Sequence, residues 1–331
     1  MSNKTIAIVG ITGNQGSSVA EVFLALPGWN VRGISRDPSK PSAQKWIAKG
    51  VEVVQGDLDN PSSLKTAFKD AHVIFGTTDF WQHLANPATH ERAAKENRTP
   101  NEVAYDLEVE QGKKFVNAVA EANQETGILE RFVFSILSDT KGISKGKITF
   151  NLHFDSKWAA VEYLREKHPE LNKKTSLLQL GIFASNWKTG GHTPRKQEDG
   201  TYKVSIPLGG DVKFPMVDPN ADTGALTKAL VEVPAGKNLV GAGSVLTWNE
   251  WCENWGKING VKCTFERMDR KVIEQILGTS GREIADMFQY TEEFGYDGSD
   301  PSVVYPWDLG VEVKVTTMDE YNRKEDWSSV L

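Results

Sequence analysis

The spacing of apolar and polar positions divides the chain into short β-branched runs alternating with longer helical stretches. TIAIV (5–9) is a continuous apolar run, as a strand covered on both faces requires. Helical spacing follows at once in SSVAEVFLAL. The strand text returns in NVRGI (30–34), VEVV (51–54), HVIFG (72–76) and ERFVFS (130–135), the last preceded by a long helical segment from about Asn101 to Asn123. An amphipathic helix over 151–166 and one strand, SLLQLGIF (176–183), continue the series. Repeated strand and helix in this order predict an α/β fold built on a Rossmann-type doubly wound parallel sheet. Beyond Phe183 the rhythm gives way to short strands and turns, with helices expected over 247–258 and 280–290. A further helix is expected to open, well capped, at Asp222-Thr223-Gly224-Ala225, and the chain from Glu292 on reads as irregular. The expected division is a sheet domain over 1–155, completed by about 176–183, with 184–331 forming mainly a smaller, interleaved α/β lobe at its mouth.

The junctions between strands and helices carry the chemistry. TIAIV runs into Gly10-Ile11-Thr12-Gly13-Asn14-Gln15-Gly16 and then into a helix, a G-x-x-G-x-x-G spacing. Glycines in this context let the backbone approach a pyrophosphate, whose charge rests on the helix N-terminus. The second strand ends in Ser35-Arg36-Asp37-Pro38-Ser39-Lys40. A site preferring NAD usually carries an acid there for the ribose hydroxyls. A guanidinium at Arg36, with Lys40 as a second charge, suits a ribose 2′-phosphate and so predicts NADP(H). After the third strand, Asp57 either accepts from an adenine amino group, with Leu58 against the ring, or caps the helix that starts near Pro61. Thr77, Thr78, Phe80, Trp81 and Ser135 fall at the carboxyl ends of strands, where ligands lie in such sheets. Trp81 and Trp187 each follow a strand, and either line an aromatic pocket with Phe183 and Asn186 or pack between the lobes. Trp248, Trp251 and Trp255, three and four apart, read as a core stripe.

Composition removes several classes of function. The formal net charge of −6 leaves no basic surface for direct binding to nucleic acid or anionic membrane. No apolar run is long enough to span a bilayer, and no Cys/His spacing suggests a metal. Strand text beginning directly at the N-terminus, together with only two cysteines, Cys252 and Cys263, gives the expectation of a cytoplasmic protein with idle thiols.

GITGNQG, SRDPSK, GDLDNPSSL, TTDFW, HFDSK, IFASNW and DTG occur in that order between about residues 4 and 300. As an ordered set they resemble the NmrA-like branch of the atypical short-chain dehydrogenases. The resemblance implies an NADP(H)-binding Rossmann domain with a small α/β lobe. It does not imply one function, because the group mixes redox-sensing regulators with enzymes related to isoflavone and pinoresinol reductases. Where typical short-chain dehydrogenases have Tyr-x-x-x-Lys, this sequence has His153 and Lys157, four apart and so on one helical face. The resemblance assigns Lys157 to the nicotinamide ribose and leaves proton transfer to His153 or Lys157, with Ser135 as a hydrogen-bond donor to a carbonyl. The phenols of Tyr105 and Tyr163 have no assigned place.

Three functions follow from these features. The first is an enzyme reducing C=O, C=N or activated C=C in a small aromatic or heterocyclic molecule. The second is a catalytically silent sensor of NADP(H) and NAD acting on a partner protein. The third is a non-redox cyclase or isomerase that keeps the dinucleotide as a structural cofactor. The aromatic residues at the strand ends favour the first.

Overall fold

The computed structural model describes residues 3–331. Its centre is one fully parallel sheet. In chain order its strands are β1 (Lys4–Val9), β2 (Trp29–Ser35), β3 (Glu52–Gln55), β4 (Val73–Gly76), β5 (Arg131–Ile136) and β6 (Thr175–Leu180), then β11 (Asn238–Gly241) and β14 (Val303–Val304). They lie side by side as β14-β11-β6-β5-β4-β1-β2-β3. The side chains of β1 show why the sheet needs two covering layers. Ile6 and Ile8 point to the face packed by Val19, Phe23, Leu226 and Leu230 from helices Asn14–Leu24 and Pro219–Glu232. Ala7 and Val9 point to the face packed by Phe115, Val119, Val161 and Leu164 from helices Pro100–Thr126 and Leu152–Lys167. Successive connections run in opposite directions from β1, so a crevice opens at the carboxyl ends of β1 and β4, where such sheets take their ligands.

The lobe holds the remaining strands. β7 (Ile182–Phe183), β10 (Phe214–Val217) and β12 (Ser244–Leu246) form one small sheet, ordered β12-β10-β7. β8 (Arg195–Lys196), β9 (Tyr202–Ile206) and β13 (Cys263–Arg267) form another, ordered β13-β9-β8. Around them lies an aromatic core in which the indoles of Trp248, Trp251 and Trp255 are fully buried together with Trp187, Tyr202 and Trp327. Cys252 and Cys263 are both free thiols.

The structure corrects three details of the sequence reading. SLLQLGIF is not one strand: β6 ends at Leu180, and Ile182–Phe183 turn away to pair with β10. Gly181 makes this possible, because a Cβ there would sit 2.7 Å from the Pro215 carbonyl oxygen. The helix expected to open at Asp222 begins at Pro219, capped by the Asp218 carboxylate, which accepts from the backbone N–H of Asn220 and Ala221. Asp222 is buried inside it and receives the Thr316 N–H and hydroxyl at 2.9 and 2.8 Å. Finally, the C-terminal region is not uniformly irregular: it supplies β14 and a helix, Met318–Lys324, opened by a Thr317/Glu320 capping box.

Candidate functional site

The first half of the site is made of backbone. Gly10 has a φ of 69°, the left-handed conformation that glycine adopts without strain. A Cβ on Gly16 would collide with the Gly10 carbonyl, so the tight approach of loop to helix depends on glycine at both ends. The helix Asn14–Leu24 starts with Gly13 at its cap, no side-chain cap and no acid in its first turn. Its first N–H groups and the positive end of its dipole are therefore left for an outside anion. Thr12, Gly13 and Asn14 are exposed, and the half-buried Gln15 carries a buried Oε1 with no partner among the described residues.

Next to this loop, at the end of β2, Arg36 and Lys40 are exposed and make no ion pair among the described residues. The intervening Asp37 forms no ion pair with either cation. Its carboxylate is held below the ordinary carboxylate range by the Ser39 hydroxyl and N–H, at 2.5 and 3.0 Å, closing its own turn, and the Lys40 charge also helps to lower it. By contrast, Arg32 on the same strand is already paired with Glu52 at 2.8 Å. Asp57 accepts from the Asp59 N–H at 3.0 Å, and Asn60, not Asp57, occupies the cap position of the Pro61–Phe68 helix. Leu58 packs at the edge of the adjoining core. Unpartnered N–H groups, a glycine cradle and two free cations fit a dinucleotide diphosphate with a further phosphate on its adenosine ribose.

The second half of the site is made of buried side chains. On helix Leu152–Lys167, Lys157 donates to the Thr78 carbonyl at 2.6 Å, to Thr78 Oγ1 at 3.2 Å and to Glu108 Oε1 at 2.6 Å. An ammonium has three N–H donors, and all three are engaged. Glu108, completely buried on the long helix, also accepts from the Ser156 hydroxyl. Thr78 belongs to the turn after β4, where Thr77 Oγ1 donates to the Ser135 carbonyl at 3.0 Å and ties β4 to β5. Ser135 itself is buried one residue before the end of β5.

One turn earlier on the same helical face, His153 Nδ1 lies 2.7 Å from Glu283 Oε1, and that oxygen also accepts the His153 backbone N–H at 2.8 Å. Glu283 comes from the lobe helix Thr279–Phe294, and its other oxygen accepts from Asn101 Nδ2 at 3.2 Å. His153 Nε2 has no protein partner among the described residues. The imidazole is covered by Trp81, with ring centroids 5.1 Å apart, and by Phe80 at 6.0 Å. Trp81 is 44% exposed and Phe80 is buried beneath it. Asp155, on another side of the helix, accepts the Lys141 N–H at 2.9 Å, and burial pushes its carboxyl up to about 7.

The predicted residues thus fall into groups. The glycine loop, Arg36 and Lys40 share the ends of β1 and β2, while Thr77, Thr78, Phe80, Trp81, His153 and Lys157 gather beyond β4. Trp187 lies in the lobe core, its ring 4.3 Å from that of Trp327 and its Nε1 donating to Tyr321 OH at 3.2 Å. Asn186 is exposed, and Phe183 packs at the rim of the sheet core. Two surface concavities, of about 320 and 180 Å³, lie near Val22, Ala229 and Lys314 and near Arg165, Asn238 and Ser302, away from all of these residues. Sequence reasoning missed Glu108, Glu283 and Asn101. Glu108 left a trace, a carboxylate on the helical stripe formed by Ala104, Gly112 and Phe115.

Comparison with known proteins places the chain. The profile of the NmrA-like family matches residues 2–322. The NmrA-like family domain-containing oxidoreductase FrzB of a Cladobotryum species is 25% identical, over 94% of this chain and 90% of its own. The similarly described malD of Malbranchea aurantiaca is 26% identical, over 85% and 80%. Among solved structures, NmrA, a negative transcriptional regulator in complex with NADP, superposes with a TM-score of 0.69 at 20% identity, covering 100% of this chain and 97% of that one. The Citrobacter triphenylmethane reductase complexed with NADP(H) gives 0.66 at 13% identity, covering 97% and 99%.

Proposed function

This chain belongs to the NmrA-like family, and from that premise we propose that it is an NADP(H)-dependent reductase of a small aromatic or heterocyclic molecule. The observation that carries the reading is the pairing, across adjacent strands, of an anion cradle beside two unpaired cations with a histidine whose Nε2 is free. The N–H groups of residues 14–16 would hold the pyrophosphate, while the Gly13 N–H closes the loop on the Gly10 carbonyl at 2.9 Å, and Arg36 with Lys40 would hold the 2′-phosphate. Asp57 and Leu58 flank the expected adenine position. Lys157 would meet the nicotinamide ribose by exchanging its longest contact, the Thr78 hydroxyl, for a ribose hydroxyl. Bound NADPH supplies a hydride to the carbon of a C=O, C=N or activated C=C bond. The proton comes from the chain: His153 Nε2 gives it to the oxygen, nitrogen or conjugate carbon, leaves a neutral imidazole, and is recharged from solvent. Trp81, backed by the buried Phe80, would offer aromatic surface for the substrate at that point. The relatives' description as oxidoreductases supports this assignment.

A second reading, a catalytically silent sensor acting through a partner protein, is favoured by one observation. Beyond β4 the aromatic rings close on each other and on His153, and the three Lys157 donors are spent within the protein. Calorimetry with NADPH, NADP, NADH and NAD separates the two. The reductase is expected to prefer NADPH and then to consume it in the presence of an aromatic dicarbonyl. Preference for both oxidised forms, with no consumption of NADPH, supports the sensor and rejects the reductase.

A further inference from the structure

The lobe does more than cover the sheet. Two carboxylates on one face of helix Thr279–Phe294 reach the start of helix Leu152–Lys167, whose own cap residue, Asn151, makes no side-chain cap. Asp286 Oδ2 accepts the Phe150 N–H at 2.9 Å, and Glu283 Oε1 accepts the His153 N–H. Asp286 is otherwise committed to Arg270, at 2.5 Å. Glu283 differs, because the oxygen that completes the cap also meets the His153 ring. The other charged groups near His153 are turned elsewhere: Asp155 toward the Lys141 N–H, and Lys157 toward Glu108 and Thr78.

We infer that Glu283 is the positioning residue for proton transfer by His153, so that the lobe completes the proton-transfer site of the sheet domain. A carboxylate can only accept, so the neutral imidazole carries its hydrogen on Nδ1 and presents Nε2 to the cleft. When Nε2 gains a proton, the imidazolium lies against a fully buried negative charge that offsets it. Asn101 fixes the second oxygen, which leaves Glu283 little freedom to rotate. The proton moves between Nε2, substrate and solvent only. This assignment rests on the reading of His153 as the proton carrier.

Two measurements test it, and they fail independently. In the first, long-range proton–nitrogen spectra of the full chain labelled at its six histidines report the tautomer of His153, assigned by the signal missing in His153→Gln. Hydrogen on Nδ1 of the neutral ring is expected. Hydrogen on Nε2 would overturn the proposal, whether or not the protein turns over any substrate. In the second, NADPH consumption with phenanthrenequinone is followed for Glu283→Gln, His153→Gln and the double variant. Gln keeps an oxygen for the cap but loses the charge. Glu283→Gln is expected to lower kcat about 100-fold with NADPH affinity unchanged, and to cost nothing further once His153 is Gln. Losses that multiply would reject action through His153. Full turnover by His153→Gln would instead remove the reductase reading of His153, and the tautomer would still report whether the pair forms. Should Glu283→Gln fail to fold, the spectrum of the unaltered protein decides.

Discussion

The two halves of the site are built in opposite ways. At the ends of β1 and β2 the proposed binding groups come from one stretch of backbone and two surface cations, and the cations pair with none of the described residues. Beyond β4 they are buried side chains from three separate helices and a turn, and almost every donor already has an internal acceptor. On the proposed function, the first region would serve affinity. The second holds a few polar groups at fixed positions, which proton transfer needs more than affinity does.

Substitutions can break this contrast. The largest effect is expected from Glu108→Ala, which leaves the Lys157 ammonium, 12% exposed, without its countercharge. Loss of one partner of a buried pair costs about 3–5 kcal/mol, read by urea unfolding. A loss near that of a surface mutation would mean that the second region is as open as the first. Arg36→Ala removes charge-assisted hydrogen bonds worth about 1.5–3 kcal/mol and so should weaken NADPH about 10- to 100-fold, with little change for NADH. Equal losses in calorimetry would detach Arg36 from the 2′-phosphate.

An effect smaller per pH unit sharpens the comparison through stability. The Asp155 carboxyl is held up to about 7 by burial, whereas an unfolded aspartate titrates near 4, approximately its unperturbed value. The native state therefore keeps this proton while the unfolded chain loses it. Its contribution to stability is complete below pH ~4 and is lost as pH rises through about 7, at no more than about 1.4 kcal/mol per pH unit. Asp155→Asn should flatten this part of the stability curve, and an unchanged slope would show the carboxylate to be solvated. Lys40→Ala, which removes an exposed point charge, should reduce NADPH affinity by only about 2- to 5-fold, with the difference shrinking in high salt.

How legible each region is in the sequence follows from the same contrast. The proposed phosphate end is local: strand, glycine turn, helix and a basic strand end lie within forty residues, so spacing alone singles out Gly10, Gly16 and Arg36 as candidates. The parallel sheet was legible because its buried strands are continuous apolar runs. The rest depends on partners distant in sequence. Glu108 meets Lys157 across 49 positions and Glu283 meets His153 across 130, and neither carboxylate lies in a recognisable motif. Trp187 followed a strand end, as Trp81 did, but the turn of the chain at Gly181 sends its ring into the lobe core. The cap was placed at Asp222 instead of Asp218 because both are acids before a helical run, and only the tertiary contact with Thr316 distinguishes the buried one.

The cap supplied by Glu283 and Asp286 also sets an order in time. The helix that carries His153 and Lys157 is synthesised long before the residues that finish its first turn. At about 5–20 residues per second, the 130 positions between His153 and Glu283 take roughly 7–26 seconds to emerge. Until then the helix start that carries His153 lacks both carboxylates that complete it. A ribosome-bound chain stalled before residue 283 should therefore hold the proposed His153–Glu283 pair open until the Thr279–Phe294 helix arrives.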